Sequence, residues 1–356
     1  MSDENLKIHR DQIDAIDAEV LKLINARAEH ARAIGEIKGG GLIYRPEREA
    51  QVLRRLQDLN PGPLSNEAIA RLFREIMSAC LALEKPLSIA FLGPNGTHTE
   101  SAAIKHFGHA ATTVACSSFD EAFRQVEAGL CDYLVAPVEN STGGTVERTL
   151  DLLLKTPLKI CGEVQLRIHH YFLRKDPDAG LPRVIYSHQQ SLLQCHEWLN
   201  QHMSGIERVA VASNAEAARL AGEDATVAAI AGEASIEHFN LTAVASCIED
   251  EPNNTTRFLV LGHNDVPVSG RDKTSLVLSA QNRPGAVFDL LQPLARAGIS
   301  MTKFESRPSR TGLWEYAFFV DIEGHPADEK VAAALSELKQ HASLFKLLGA
   351  YPAAVL

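Results

Sequence analysis

Four cations fall where they could do chemistry. Arg27 follows Val20 by seven residues, and Lys38 follows Arg27 by eleven. Each step is about 20° around a helix, so both side chains point with the apolar stripe of residues 6–38 rather than to solvent. A buried cation without a partner is costly, so an anion should meet them. Internal pairs with Glu29, Glu49 or Glu84 would serve for any one cation. For Arg10, Arg27, Lys38 and Arg48 together, an anion site is the better reading. Arg10 lies about 25 Å from Arg27 along the helix axis, out of reach of one small ligand within a chain. Antiparallel long helices in a dimer could bring Arg10 of one subunit to Arg27 of the other.

A second group of polar residues sits at predicted strand ends. Glu139-Asn140-Ser141 follows YLVAPV, Ser187-His188-Gln189-Gln190 follows RVIY, and Asn253 to Phe258 precedes LVLG. Ligands of open α/β sheets bind at such ends. Turn and capping chemistry would explain any one cluster. Three clusters rich in hydroxyl, amide and guanidinium groups point to a cleft for a polar small molecule. The turn Gly93-Pro94-Asn95-Gly96-Thr97 could offer backbone N–H groups to an anion. It lacks both GxGxxG and GK[ST] spacing, so nucleotide binding is not supported.

The elements that must position these residues divide the chain into three. Residues 6–38 contain no proline and no glycine before Gly35, and apolar spacing predicts one helix of about 33 residues. Gly39-Gly40-Gly41 ends it. Further helices are predicted from Pro46 to about Leu59, and over 66–84 with Ser65 as N-cap. One very long helix outruns what two short ones can cover, so a partner chain is expected. Strands and helices then alternate. Strands are predicted at 87–92, 112–115, 132–138, 158–173, 183–187, 207–212, 226–230 and 257–262. Helices are predicted at 99–107, 119–129, 145–155, 190–202 and 214–222. Such alternation reads as α/β, with enough units for two lobes. Residues 273–356 read βαββαβ, the ferredoxin-like plait, with helices at 285–297 and 327–341 and a short last strand near 347–351.

Composition agrees with a multidomain globular chain. The 356 residues are 45% hydrophobic and 22% charged, enough to bury cores in two or three domains. Net charge is −10, which argues against a nucleic-acid surface. The excess is local: residues 1–87 carry 13 basic and 14 acidic side chains, 88–265 carry 12 and 22, and 266–356 carry 10 and 9. No apolar run reaches membrane-span length and no signal peptide is evident, so a cytoplasmic protein with reduced thiols is expected. The six cysteines form no CxxC pair. His169-His170 is the only local metal temptation, with no Cys or carboxylate at ligand spacing beside it. No metal and no cofactor is expected.

The segments HRDQIDAIDAEVLKLINARAEHARAIGEIK, YRPEREAQVLRRL and RLFREIMSACLALE resemble the all-helical class of chorismate mutases over residues 5–85. That resemblance implies an intertwined helical dimer. It implies Arg10 from the partner subunit, then Arg27, Lys38, Arg48 and Glu49, with Cys80 and Glu84 at the third-helix positions. Arg45 and Cys80 depart from the family pattern. The implied reaction is a pericyclic rearrangement of a dicarboxylate, chorismate to prephenate, needing neither nucleophile nor proton transfer. Lys38 would stabilise the breaking ether oxygen. Glu84 could be a second donor only when protonated, so mutase activity is expected to fall as pH rises above neutral.

GPNGTHTESAA, APVENSTGGTV, SHQQSLLQC and NNTTRFLVLG resemble prephenate dehydratase over about 88–265. The resemblance implies a cleft between two α/β lobes, with catalytic roles for Thr256, Asn140, Ser187 and Gln194. It implies substrate contacts from Thr97, Glu139, Ser141, Arg257 and Phe258. His98 and Gln189 depart from it, where an aromatic and a proline are usual. Thr256 is the expected donor to the leaving hydroxyl and Arg257 the expected carboxylate clamp. His188 is an alternative acid. The last segment resembles an ACT regulatory domain of the phenylalanine-sensing type. That implies phenylalanine at an interface between two such domains, contacting Asn282, Gly285, Ala286, Val287, Glu305, Ser306, Arg307 and Pro308.

The expectation is therefore three modules: a helical mutase (1–87), a dehydratase (88–267) and an ACT module (268–356). Together they would make a bifunctional enzyme of phenylalanine biosynthesis, working as a homodimer or higher homo-oligomer. The alternative class is a ligand-binding regulator with an amino-acid sensor. Against it stand the acidic charge, the missing DNA-binding module and the inward cations. A mutase–dehydrogenase fusion is disfavoured by the absent dinucleotide fingerprint.

Overall fold

The computed structural model describes residues 3–39, 43–280, 283–308 and 316–355. Helix α1 (Asp3–Lys38) runs 36 residues and has no buried residue. It packs against α3 (Asn66–Ala82), which also pairs with α2 (Pro46–Leu59). Ser65 caps α3, its side chain accepting from the Ala68 N–H at 3.2 Å. The apolar stripe of α1 stays open, with Ile16 60% and Leu23 59% exposed. A helix with that stripe is stable only against a partner surface.

The middle module is two lobes. The first holds β1 (Ser88–Leu92), α4 (His98–Phe107), β2 (Thr112–Cys116), α5 (Phe119–Glu127), β3 (Tyr133–Asn140), β4 (Gly144–Thr145), α6 (Glu147–Lys155) and β5 (Lys159–Arg167). The second holds β6 (Tyr171–Arg174), β7 (Val184–His188), α7 (Gln189–Gln194), α8 (His196–His202), β8 (Glu207–Val211), α9 (Asn214–Glu223), β9 (Ala228–Ala231), α10 (Ala234–His238) and β10 (Thr242–Ala245). The chain then returns through β11 (Thr255–Gly262) into the first sheet, whose order is β2-β1-β3-β11-β5 with β4 on β3. The second sheet runs β10-β6-β9-β7-β8.

Two expectations needed correction here. The predicted strand 158–173 is not one strand: it breaks at Ile168–His170, and its halves join different sheets. Helix 190–202 likewise breaks at Cys195. Short α10 and β10 carry no long periodic pattern and were not foreseen.

The last module is β12 (Asp272–Ser279), α11 (Ala286–Arg296), β13 (Met301–Pro308), β14 (Tyr316–Glu323), α12 (Glu329–His341) and β15 (Leu344–Pro352). Strand order β13-β14-β12-β15 is that of the ferredoxin-like plait. The last strand is nine residues, longer than expected. One face of this sheet covers the first lobe of the middle module. Leu134, Leu150 and Leu259 share a buried cluster with Val277, Phe319 and Tyr351. Gly349 allows the close approach, since a Cβ there would sit 2.2 Å from the Ile160 oxygen.

Candidate active sites

The candidate cleft of the middle module is built where β3 and β11 run antiparallel, pairing Asn140 with Thr256. The Asn140 side-chain oxygen accepts from the Gly143 N–H at 2.7 Å, the Thr142 N–H at 3.2 Å and the Thr142 hydroxyl at 2.8 Å. Backbone N–H groups only donate, so this atom must be the oxygen. Asn140 Nδ2 therefore donates to Thr256 Oγ1 and to Asn254 Oδ1, both at 2.8 Å. Thr256 Oγ1 is thus an acceptor, and its own hydrogen is left for another partner. From the second lobe, Gln194 Nε2 reaches Thr142 Oγ1 at 2.7 Å, and His170 Nε2 reaches Gln194 Oε1 at 2.9 Å. Ser141 Oγ accepts from the Thr255 N–H at 3.0 Å.

Asn140, Ser141, Gln194 and Thr256 thus come together as expected. Thr142 and His170 were not foreseen here, and Asn254 was foreseen only as part of the polar cluster Asn253 to Phe258. Thr142 and Asn254 lay inside the quoted motifs APVENSTGGTV and NNTTRFLVLG, so their hydroxyl and amide were a usable signal. His98, at a position where an aromatic is usual, packs its ring edge-on to His170 with centroids 5.9 Å apart. Burial, then the neighbouring His170 and His169, pushes His98 down to about 4, so it is neutral near pH 7.

Other expected site residues lie elsewhere. Successive residues of a strand face opposite ways. Thr256 faces the cleft network, so Arg257 cannot. Its Nε meets Glu163 at 2.8 Å, Nη1 meets Asp321 at 2.5 Å and Nη2 meets the Tyr351 hydroxyl at 2.9 Å. Burial alone would lower its pKa, yet the facing Tyr351, Asp321 and Glu163 hold it above the ordinary value. The carboxylates it clamps are the protein's own, which corrects the expected substrate role. Phe258 is 1% exposed in the first-lobe core, so it cannot touch substrate either. Glu139 turns to the plait, where Lys303 Nζ lies 2.8 Å from Oε2. Ser187 is buried and donates to the Ile230 oxygen at 2.7 Å, inside the second lobe. Thr97 caps α4, and His188 caps α7 by accepting from the Gln190 N–H.

In the helical module, Arg10, Lys38 and Arg48 are exposed and Arg27 is half-buried. None makes a side-chain hydrogen bond or ion pair with the described residues of its own chain. The possible internal partner Glu29 is taken by Arg32 at 2.6 Å. Glu84 lies against Gly35, where a Cβ would be 2.6 Å from its Cγ and Cδ. Cys80 is buried nearby on α3. Glu49 departs from this group. It meets Arg74 Nε at 3.4 Å in a cavity of about 50 Å³ shared with His106, Gly162 and Ala354. Burial raises its pKa to about 7, against the pull of Arg74.

In the plait, Gly285 opens α11 at φ +80, a left-handed conformation that suits glycine. Ala286 lines a groove of about 290 Å³ with Arg283, Asp289 and His341. Val287 is 39% exposed. On β13, Glu305 is half-buried while Ser306 and Pro308 are exposed. Arg307 reaches Glu147 at 3.4 Å and Asp151 at 3.2 Å on α6 of the middle module. Asn282 lies outside the described residues.

The fold also gathers what local spacing hid. Among the described residues, His169, Cys247 and Glu249 place ligand-type atoms within 4.8 Å of one another. The Glu249 carboxylate already bonds His169 Nδ1 at 2.7 Å and the His170 N–H at 2.9 Å. No helix among the described residues is long and apolar enough to cross a membrane.

Family models match in the same order as the modules: chorismate mutase type II over residues 9–85, prephenate dehydratase over 89–266 and the ACT domain over 274–340. A "Bifunctional chorismate mutase/prephenate dehydratase" from Neisseria gonorrhoeae is 62% identical over 358 residues, covering 99% of each chain. The chain belongs to the bifunctional chorismate mutase/prephenate dehydratase family. It is an enzyme with an isomerase module and a lyase module. Among solved structures, prephenate dehydratase from Arthrobacter aurescens, in complex with L-Phe, is 31% identical at a TM-score of 0.69, covering 75% of this chain and 90% of that one. GqqA, titled a novel type of quorum quenching acylase, is 29% identical at the same TM-score of 0.69, covering 75% and 98%. The same fold therefore accompanies different named activities, and individual roles must come from the site.

Proposed function

We propose that the modules at 1–87, 88–267 and 268–356 convert chorismate to prephenate and prephenate to phenylpyruvate, under feedback control by phenylalanine. In the cleft, Thr256 donates its hydroxyl hydrogen toward the departing ring hydroxyl. Hydroxide leaves, to be protonated by solvent, as the ring carboxylate is lost as carbon dioxide, and the electron pair freed by that loss completes the aromatic ring. Thr256 is a weak acid, so its contribution is a directed hydrogen bond to developing negative charge. The observation that carries this reading is the fixed Asn140 amide, which makes Thr256 Oγ1 an acceptor and frees its hydrogen. Gln194 holds a polar group of the substrate, and Asn140 orients Thr256.

In the mutase, Arg27, Lys38 and Arg48, with Arg10 of a second copy, hold the two carboxylates. Lys38 and Glu84 face the ether oxygen. The open stripe of α1 and its unpaired cations support a homodimer built on this helix. Effector phenylalanine is taken up by the plait near Gly285–Val287 and Glu305–Pro308. The six free cysteines agree with a reducing, cytoplasmic setting.

The test is to supply chorismate without any added cofactor and follow phenylpyruvate by its absorbance in alkali. Product from the whole chain, with Thr256→Ala losing dehydratase but not mutase turnover, is the expected result. Absence of product would overturn the reading, and equal loss of both activities would overturn the role of Thr256.

A further inference from the structure

The geometry points to His170 as a positioning residue of the dehydratase site, one that sets which way the Gln194 amide faces. This rests on the reading that the Asn140–Thr256 cleft is where the dehydratase works.

His170 sits in the link where the chain crosses from β5 to β6, between the two lobes. It is 1% exposed. Its N–H donates to Glu249 Oε2 at 2.9 Å and its carbonyl accepts from the Ile248 N–H at 3.0 Å. The ring is therefore held from both sides of the backbone. Its Nε2 lies 2.9 Å from Gln194 Oε1, and Gln194 Nε2 lies 2.7 Å from Thr142 Oγ1.

The side chain of Gln194 has these two partners, and they are not equivalent. A threonine hydroxyl both donates and accepts, so it tolerates either orientation of the amide. A neutral imidazole nitrogen does one or the other. His170 carrying its proton on Nε2 demands the Gln194 oxygen. The Gln194 amide nitrogen must then face Thr142, and the Thr142 hydroxyl is left to donate to Asn140 Oδ1. Reversing the tautomer reverses all three bonds. Asn140 would lose one of its donors, and Gln194 would turn its oxygen toward Thr142.

A second observation supports the Nε2–H form. His170 Nδ1 is buried with no hydrogen-bond partner. A lone pair there is the less costly orphan, because a buried N–H is seldom left unpaired. Burial also disfavours the imidazolium. With the amide fixed, one Gln194 N–H binds Thr142 and the other is free for an anionic or carbonyl oxygen of the substrate. A flipped amide would present an oxygen to that anion. The chain of aligned bonds also strengthens each member.

The experiment uses the full chain with prephenate as substrate. His170→Phe keeps ring shape and removes the donor. Dehydratase kcat/KM should fall about tenfold or more, the size of one lost charge-directed hydrogen bond, with mutase turnover and the thermal midpoint unchanged. His170→Gln replaces Nε2 with an amide nitrogen and should recover most of the loss. Added to Gln194→Ala, His170→Phe should cost less than about twofold more, because its effect passes through Gln194. Three results overturn the inference: His170→Phe within about twofold of the parent, full multiplication of the two losses, or His170→Gln no better than His170→Phe. If the Phe variant does not fold, the Gln variant decides, and loss of dehydratase turnover in a folded His170→Gln chain overturns the inference. Thr256→Ala is run alongside. If it keeps dehydratase turnover, the Thr256 reading fails whatever His170 does. If it loses turnover while His170→Phe does not, only the present inference fails.

Discussion

Arg257 Nη1 and Asp321 Oδ2 lie 2.5 Å apart across the seam between dehydratase and plait. Arg257 is the immediate neighbour of Thr256, and Asp321 lies on β14, the strand that pairs with β13 at Phe304 to Pro308. Glu163 joins the pair through Arg257 and Lys273, both at 2.8 Å. The neighbour of Thr256 and the strand beside β13 are therefore joined through one buried ionic network. Removing one partner of such a network leaves an uncompensated charge, at about 3–5 kcal/mol. Asp321→Asn should raise the phenylalanine concentration for half-inhibition several-fold, within the usual coupling of about 1–3 kcal/mol. Uninhibited mutase turnover should hold. Inhibition curves on parent and variant decide it, and an unchanged midpoint would show the network to be only structural glue.

Glu49 offers a pH test. Burial raises its pKa from 4.5 to about 7, so the folded chain binds this proton more tightly than the unfolded chain does. Its effect on stability is most favourable below about pH 4.5 and is lost as pH rises toward 7. The full change is about 3 kcal/mol, at about 1.4 kcal/mol per unit. Parent protein should thus lose more thermal stability between pH 5 and pH 8 than Glu49→Gln does. Parallel slopes in thermal melts across that range would contradict the assignment.

The long helix, the three-module order and the polar clusters at strand ends were legible because each rests on local pattern. Thr256 and Arg257 show the limit. Strand periodicity already says that adjacent residues face apart, but not which one faces the cleft. That depends on Asp321 and Tyr351, residues of another module. Alternation of apolar and polar residues runs from Ile160 to Ile168 and breaks only at His169-His170, a weak local mark that does not say the chain crosses there between two sheets. Thr142 and His170 join the site through partners 52 and 24 residues away, beyond any periodic signal.

The open stripe of α1 predicts assembly. Val20 is 45% and Ile16 60% exposed on a face of the helix that no described residue of its own chain covers. Ile16→Glu with Val20→Glu should place charge in a dimer seam and split it. Mutase turnover should then collapse, because Arg10 of one copy is withdrawn from the other, while dehydratase turnover persists. Sedimentation paired with both assays reads this. A variant of unchanged mass and unchanged mutase rate would show that α1 does not carry the interface.

Gly35 separates stability from catalysis. A Cβ at this position would come within 2.6 Å of the Glu84 side chain and 2.8 Å of Oε2. Those atoms belong to a flexible side chain, so Glu84 can swing aside without moving a backbone. Alanine also gains about 1 kcal/mol over glycine in a helix interior. Gly35→Ala should therefore be as stable as the parent or more so, while mutase turnover falls about tenfold or more as Glu84 leaves the ether oxygen, a loss typical of one displaced donor. Dehydratase turnover on supplied prephenate should not change. A thermal melt and the two separate assays distinguish the outcomes: full mutase activity in a stable Gly35→Ala chain would remove Glu84 from the reaction.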